Sequence, residues 1–146
     1  MDRLLPLVLE VQHGHARHHP DRFVVGPNEA AVRGMLTRAA ARAGHTILLA
    51  EAGSEAVGYA WFEVADRPPT PLTHRAREVR VHQIGVASAW RRRGLGSALL
   101  DEVRGAARRA GVGTVVLDHM ADHGDAAAFY EARGFRPYRV FRRSFT

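Results

Sequence analysis

Hydrophobic positions recur at helical spacing near the N-terminus, alternate through the middle of the chain, and then return to helical spacing. Leu4, Leu5, Val8, Leu9 and Val11 fit one face of an amphipathic helix over residues 4–16, and Pro20 argues for its end. Asn28 is an N-cap type of residue. It opens a second helix through Arg42, with Ala31, Met35 and Ala39 on one face and Gly44 at its end. Residues 46–52 read as a strand, Gly53-Ser54 as a turn and residues 57–64 as the hairpin partner. The run Arg67-Pro68-Pro69-Thr70-Pro71 cannot be a central strand, because proline lacks the ladder donor. It reads as a stiff loop placed to border a cleft. Val79, Val81 and the run Gln83-Ile84-Gly85-Val86 form the next strand, and Leu95, Leu99, Leu100 and Val103 then mark a helix reaching Ala110. Residues 113–117 read as a short apolar strand, 124–133 as a short helix stopped by Gly134, and 139–145 as a last strand. A hairpin followed by a β-helix-β unit predicts an α/β fold: a mixed, mostly antiparallel sheet with helices on both faces.

At 146 residues, with 46% hydrophobic and 25% charged positions, the sequence reads as one domain over residues 1–146 with room for a real core. It contains no cysteine, which excludes a disulfide framework, a cysteine-based zinc site and a thiol nucleophile. His13, His15, His18 and His19 look like a metal tract, but no carboxylate or cysteine stands at ligand spacing, so they read as a surface run and no metal is expected. The apolar run at residues 4–9 is broken by Pro6 and is too short for a signal-peptide core or a membrane span, so a cytoplasmic protein without a membrane partner is expected. The net charge of +6 comes entirely from arginine and is spread over many segments. A nucleic-acid binder would show a basic stripe with stacking aromatics or a reading helix, so no nucleic-acid partner is expected.

The strand at residues 79–86 and the helix that follows it are joined by Arg91-Arg92-Arg93-Gly94-Leu95-Gly96. A glycine-bearing turn feeding a helix leaves several N–H groups unpartnered and pointing one way, and the helix dipole adds positive charge there. With three arginines beside it, the turn reads as an anion site, with phosphate the natural ligand. The Walker pattern is absent, and a G-x-G-x-x-G fingerprint fails because Leu99 stands at its third glycine.

What does fit is R/Q-x-x-G-x-G/A, as Arg91, Gly94 and Gly96. This resembles the acetyl-coenzyme A loop of the GNAT N-acetyltransferase superfamily. The segment Ala126-Ala127-Ala128-Phe129-Tyr130-Glu131-Ala132-Arg133-Gly134-Phe135 is similar to a second signature of that family, A-x-x-x-Y-E-x-x-G-F. The resemblance runs from about His45 to the C-terminus. It implies a sheet with two adjacent parallel strands splayed beside the loop, and acetyl-CoA as acyl donor entering the gap. Members usually start with a strand before the first helix; here that strand is missing or very short.

By the same resemblance, Ile84 and the Val86 backbone N–H meet the acyl arm, with Val86 holding the thioester carbonyl, and the pyrophosphate lies on Arg91, Arg92, Arg93, Gly94, Leu95, Gly96 and Ser97. His123 stands where the family often has an asparagine that contacts the pantetheine. Tyr130 matches the family's acid, which protonates the leaving thiolate; its alternative is a core aromatic beside Phe129. For the base, strand alternation puts Glu78, Arg80, His82 and Ile84 on one face. His82 is the first candidate, since imidazole titrates near neutrality and arylalkylamine acetyltransferases carry histidine at the matching place. Its alternative is a buried histidine bonded to backbone. Glu78 is the second candidate.

The resemblance therefore implies an enzyme that transfers acetyl from acetyl-CoA to a primary amine by direct attack in a ternary complex. The acceptor, a small-molecule amine or a peptide or protein amine, is not readable, and a homodimer stays open. The other reading is a non-catalytic acyl-CoA-binding regulatory module, which would keep Arg91, Gly94 and Gly96 but would not need His82 or Tyr130.

Overall fold

In a computed structural model the described residues are 1–144. Helix α1 (Leu4–His18) comes first and α2 (Glu29–Ala41) follows. The Asn28 side chain accepts from the Ala31 N–H at 2.9 Å and so caps α2. Strands β1 (His45–Ala52), β2 (Glu55–Arg67) and β3 (Ala76–Val86) form an antiparallel meander. Helix α3 (Leu95–Arg109) crosses over to β4 (Val115–Val116), which runs parallel to β3, and α4 (Gly124–Ala132) follows. The sheet order is β1-β2-β3-β4.

Two apolar cores follow from alternation along the central strands. Tyr59 joins Leu4, Leu5, Leu7, Val8 and Leu36 on the face covered by α1 and α2. On the other face Ala60, Phe62, Val79 and Val81 pack against Leu99 and Val103 of α3. β2 is therefore buried on both sides at its centre, with a strand on each edge and helices above and below.

Three details depart from the sequence reading. The register of β2 against β3 shifts between Trp61 and Phe62: Phe62 pairs with Val81 but Trp61 pairs with Gln83, so His82 is the extra residue of a bulge. The bulge reverses the phase of β3. Glu78, Arg80 and His82 share the α1 face, but Ile84 packs with the α3 core, so the expected single face does not extend to Ile84. The apolar segment 113–117 supplies only two ladder residues, with Val115 opposite Val79 and Val116 opposite Arg80. Beyond them the chain leaves β3.

The expected last strand is also absent over residues 139–144, and Phe145 lies outside the described residues. Val140 and Phe141 are exposed, and the segment is tied instead to the turn after α1 by Arg143 donating to Asp21 Oδ2 at 2.9 Å. Alternating apolar residues make a strand only where a ladder partner and a face to pack on exist, and among the described residues no strand forms a ladder with this segment.

Candidate active site

The splay can be followed bond by bond. Val79 N–H donates to Thr114 O at 2.8 Å, on the β4 side. After the bulge, Ala87 N–H donates to Val57 O at 2.9 Å, on the β2 side. Antiparallel ladders alternate, so the N–H and C=O of Val86 turn away from β2, toward the side where β4 began. Among the described residues β3 has no strand partner on that side beyond Arg80. The Val86 carbonyl is used: Arg91 Nε donates to it at 3.1 Å. The Val86 N–H faces the gap.

The loop beside this gap starts with a 3₁₀ turn, Ser88–Trp90. Arg92 (φ 62°) and Gly94 (φ 83°) both lie in the left-handed region, which turns successive N–H groups to one side. Left-handed backbone at a non-glycine residue costs about 1–3 kcal/mol and collects at ligand sites. Among the described residues no protein group accepts from the N–H groups of residues 92–97; the first helical bond is Ala98 N–H to Gly94 O at 3.0 Å. A Cβ built at Gly94 meets nothing within 4 Å, so the space above the turn is open. These amides fit a pyrophosphate.

The arginine side chains do less than the sequence suggests. Arg91 is turned to Val86 O and to Glu10, at 3.5 Å, and Arg93 lies 5.0 Å over the Trp90 ring. These two side chains brace the loop. Leu95 opens α3, and the Ser97 hydroxyl accepts from Arg133 of the last helical turn.

Helix α4 is seated on the start of α3. The Phe129 ring lies 3.2 Å from where a Gly96 Cβ would be, so glycine there lets the ring pack closely without giving way. Tyr130, the next residue, is ringed by His119, Phe129 and Phe135 at centroid distances of 5.8, 5.3 and 5.8 Å. Burial, and secondly the Asp118 carboxylate, pushes its hydroxyl up to about 12. His123 caps α4: its Nδ1 accepts from Ala126 N–H at 3.2 Å. That acceptor role leaves the proton of a neutral imidazole on Nε2, as a donor.

The N-terminal histidines meet α4 rather than standing alone. His19 Nε2 lies 3.1 Å from Asp122 Oδ1, and a cleft of about 340 Å³ is lined by His18, His19, Asp122, His123, Gly124 and Asp125. His15 stacks on Phe23 at 4.8 Å.

The base candidates differ in their surroundings. Both oxygens of the buried Glu78 are engaged, Oε1 by Arg80 at 2.8 Å and Oε2 by Arg67 at 2.9 Å. His82 is half-open, and its Nε2 lies 3.3 Å from Glu63 Oε1. The other oxygen of Glu63 is 3.0 Å from His45 Nε2, and the indole N–H of Trp61 donates to His45 Nδ1 at 3.1 Å. His45, Trp61 and Glu63 surround His82, and sequence reasoning did not single them out. The signal was there in the hairpin, but only its exact register brings His45 opposite Glu63.

His45, Glu63 and His82 offer three metal-type ligand atoms within 4.8 Å of one another. The donor pattern argues against a cation there. Because His45 Nδ1 accepts from Trp61, the proton of neutral His45 sits on Nε2, the atom a metal would need. The His45 and His82 rings are also stacked and parallel within 2°, so their in-plane lone pairs do not converge.

His15 and His82 are both held below the usual imidazole value of 6.5, in each case first by burial. For His15 the charges of His123, His19 and His18 add to this; for His82 Glu63 opposes it while His45 and Arg80 add to it. A lowered native value means the unfolded chain takes up protons first as the pH drops. This stability is fully present above about 6.5 and is lost as the pH falls through that value toward the lower native one. The thermal midpoint should therefore be lower at about pH 5 than at about pH 8, and His15→Gln should flatten the difference. Equal midpoints in scanning calorimetry would contradict this.

A splayed parallel strand pair beside an amide-lined turn defines the class: an acyl-CoA-type acyltransferase site. A family model of the Acetyltransferase (GNAT) family matches residues 11–135, and the chain belongs to that family of acetyl-CoA-dependent acetyltransferases. No curated protein matches the chain in sequence. Among solved structures, a mutant of the BH1408 protein from Bacillus halodurans superposes with a TM-score of 0.89 at 17% identity, over 100% of this chain and 93% of that one. The aminoglycoside 6'-N-acetyltransferase AAC(6')-IG from Acinetobacter haemolyticus gives 0.69 at 19% identity, covering 84% of each chain. The aminoglycoside N-acetyltransferase AAC(6')-Iy in complex with CoA gives 0.63 at 18% identity, over 80% of this chain and 90% of that one. At such identities these structures show a shared fold. Among the described residues no helix is long and apolar enough to cross a membrane.

Proposed function

We propose that residues 1–146 form a single N-acetyltransferase domain that acetylates a primary amine by direct attack in a ternary complex. The observation that carries this reading is the open edge of β3, where the Val86 N–H faces the gap beside the unpartnered amides of residues 92–97. Acetyl-CoA supplies the activated acetyl thioester. The loop amides hold its pyrophosphate, and His123 Nε2–H donates to the pantetheine arm. The Val86 N–H stabilises the charge that grows on the carbonyl oxygen during attack.

Two proton movements complete the transfer. The acceptor ammonium loses one proton to His82, the amine nitrogen bonds to the acetyl carbon, the carbon–sulfur bond breaks as Tyr130 protonates the departing sulfur, and the second proton shed by the nitrogen restores the Tyr130 hydroxyl. His82 stands four residues before Val86. An extended strand rises about 3.3 Å per residue, so the straight-line reach is about 13 Å, shortened by the bulge. Proton removal through a water chain or from a long amine fits that reach.

The test is calorimetry with acetyl-CoA followed by thiol release with a panel of amines. Aminoglycosides belong in the panel because two proteins of similar fold are named for them, alongside peptides and small aliphatic amines. Saturating cofactor at a hundred times its dissociation constant should stabilise the fold by about 2.7 kcal/mol, and Gly94→Val, which sets a side chain over the open turn, should remove that gain. Absence of binding at millimolar cofactor would overturn the reading. Binding without turnover across the panel would favour the non-catalytic module.

A further inference from the structure

We propose that Glu63 is a positioning residue for proton removal: its carboxylate, beside the Trp61–His45 pair, keeps the proton of His82 on Nε2 and leaves Nδ1 bare toward the acceptor amine. This rests on His82 being the base. The argument is one of donors and acceptors. An ionised carboxylate only accepts, and one Glu63 oxygen lies 3.3 Å from His82 Nε2 while the other lies 3.0 Å from His45 Nε2, whose N–H is not aimed well enough to make a hydrogen bond. His45 cannot turn its other nitrogen to Glu63 without setting Nδ1–H against the Trp61 N–H, so its tautomer is fixed. The ring of His45 then lies parallel to that of His82 at 5.4 Å, and Trp61 closes the other side at 4.8 Å. His82 is thereby hemmed into one orientation.

The same carboxylate answers the charge change. When His82 Nδ1 accepts the amine's proton, the ring becomes an imidazolium whose Nε2 lies 3.3 Å from Glu63 Oε1. The 3.3 Å contact can tighten into a charge-assisted bond as that charge forms. The groups facing His82 are Glu63 from β2, His45 from β1 and Arg80 from its own strand. Glu63 alone favours the protonated ring, while His45 and Arg80 oppose it. Arg80 is meanwhile partly neutralised by Glu78 at 2.8 Å.

The experiment compares pH profiles of kcat/KM for the wild type, Glu63→Gln, Glu63→Asp and His82→Gln with one acceptor, together with acetyl-CoA affinity by calorimetry. Glu63→Gln leaves one acceptor oxygen for two imidazole N–H groups. It should lower kcat about tenfold or more, move the acid-side limb to lower pH, and leave cofactor affinity unchanged. Glu63→Asp should recover part of the rate, and His82→Gln should remove the limb. If His82→Gln removes the limb and Glu63→Gln leaves both rate and limb unchanged, the positioning role is overturned while His82 stands as base. If His82→Gln leaves the limb in place, the base reading itself falls. Nitrogen-15 spectra of the folded wild type give a check that no variant's folding can spoil: His82 should carry its proton on Nε2, and a proton found on Nδ1 would overturn the proposal.

Discussion

Tyr130→Phe should lower turnover by about 10²-fold or more, the usual size for one acid–base group, with acetyl-CoA affinity little changed. The substitution keeps the ring and its contacts with His119, Phe129 and Phe135 and removes only the hydroxyl. A hydroxyl pushed up to about 12 stays protonated throughout the working range. That gap also refines its role. A thiol titrates near 8.5, so complete transfer from Tyr130 to a free thiolate runs uphill by roughly 5 kcal/mol. Its hydroxyl acts best by donating to the sulfur as the carbon–sulfur bond breaks, with the proton replenished as soon as it leaves. The rate profile should accordingly show no base-side limb from Tyr130 below about pH 10. Steady-state kinetics of the variant decide the matter: wild-type turnover would make Tyr130 a packing residue.

Gly85→Ala should destabilise the fold by about 1–3 kcal/mol, a large part of a typical total of about 5–15 kcal/mol. The added Cβ would stand 2.5 Å from Val11 Cγ2 and 2.8 Å from Tyr59 Cε1. Neither neighbour can withdraw easily. Tyr59 is fully buried and its hydroxyl donates to Gln83 Oε1 at 3.3 Å, while Val11 sits on α1, which is fixed by Leu4, Leu5, Leu7 and Val8. Burial also raises the Tyr59 hydroxyl well above its ordinary value, so ionisation offers no escape. Relief requires α1 to lift from the sheet. Chemical denaturation should show a lower midpoint with an unchanged slope, and a wild-type midpoint would show that α1 yields freely.

Local chemistry was readable where one residue decides the outcome. Asn28 announced the cap of α2, and Gly94 and Gly96 announced the turn that feeds α3, because cap and turn geometry depend on a few adjacent positions. The α4 signature carried Tyr130 to the right helix. What failed were inferences needing distant register. Alternation placed Ile84 with His82, but the bulge at His82 broke the period of two, and no feature of residues 79–86 alone marks where the extra residue falls. The His45–Glu63 pair depends on a second irregularity, between Ala50 and Glu51, that shifts the hairpin by one residue. Residues 139–144 have strand-like alternation yet find no ladder, since pairing is a property of the neighbour as much as of the segment.

Glu10 ties the loop to helix α1. Its Oε1 accepts from the Ser88 N–H at 2.8 Å across a separation of 78 residues. Closing a flexible loop of that length costs about 4 kcal/mol of chain entropy by the (3/2)RT ln n relation, which neither this bond nor the neighbouring Arg91 contact offsets alone. The tie is stable only with the β1–β2–β3 meander holding the two ends together. The fold already formed thus sets this tie, and through it Glu10 braces the turn between β3 and α3 against helix α1.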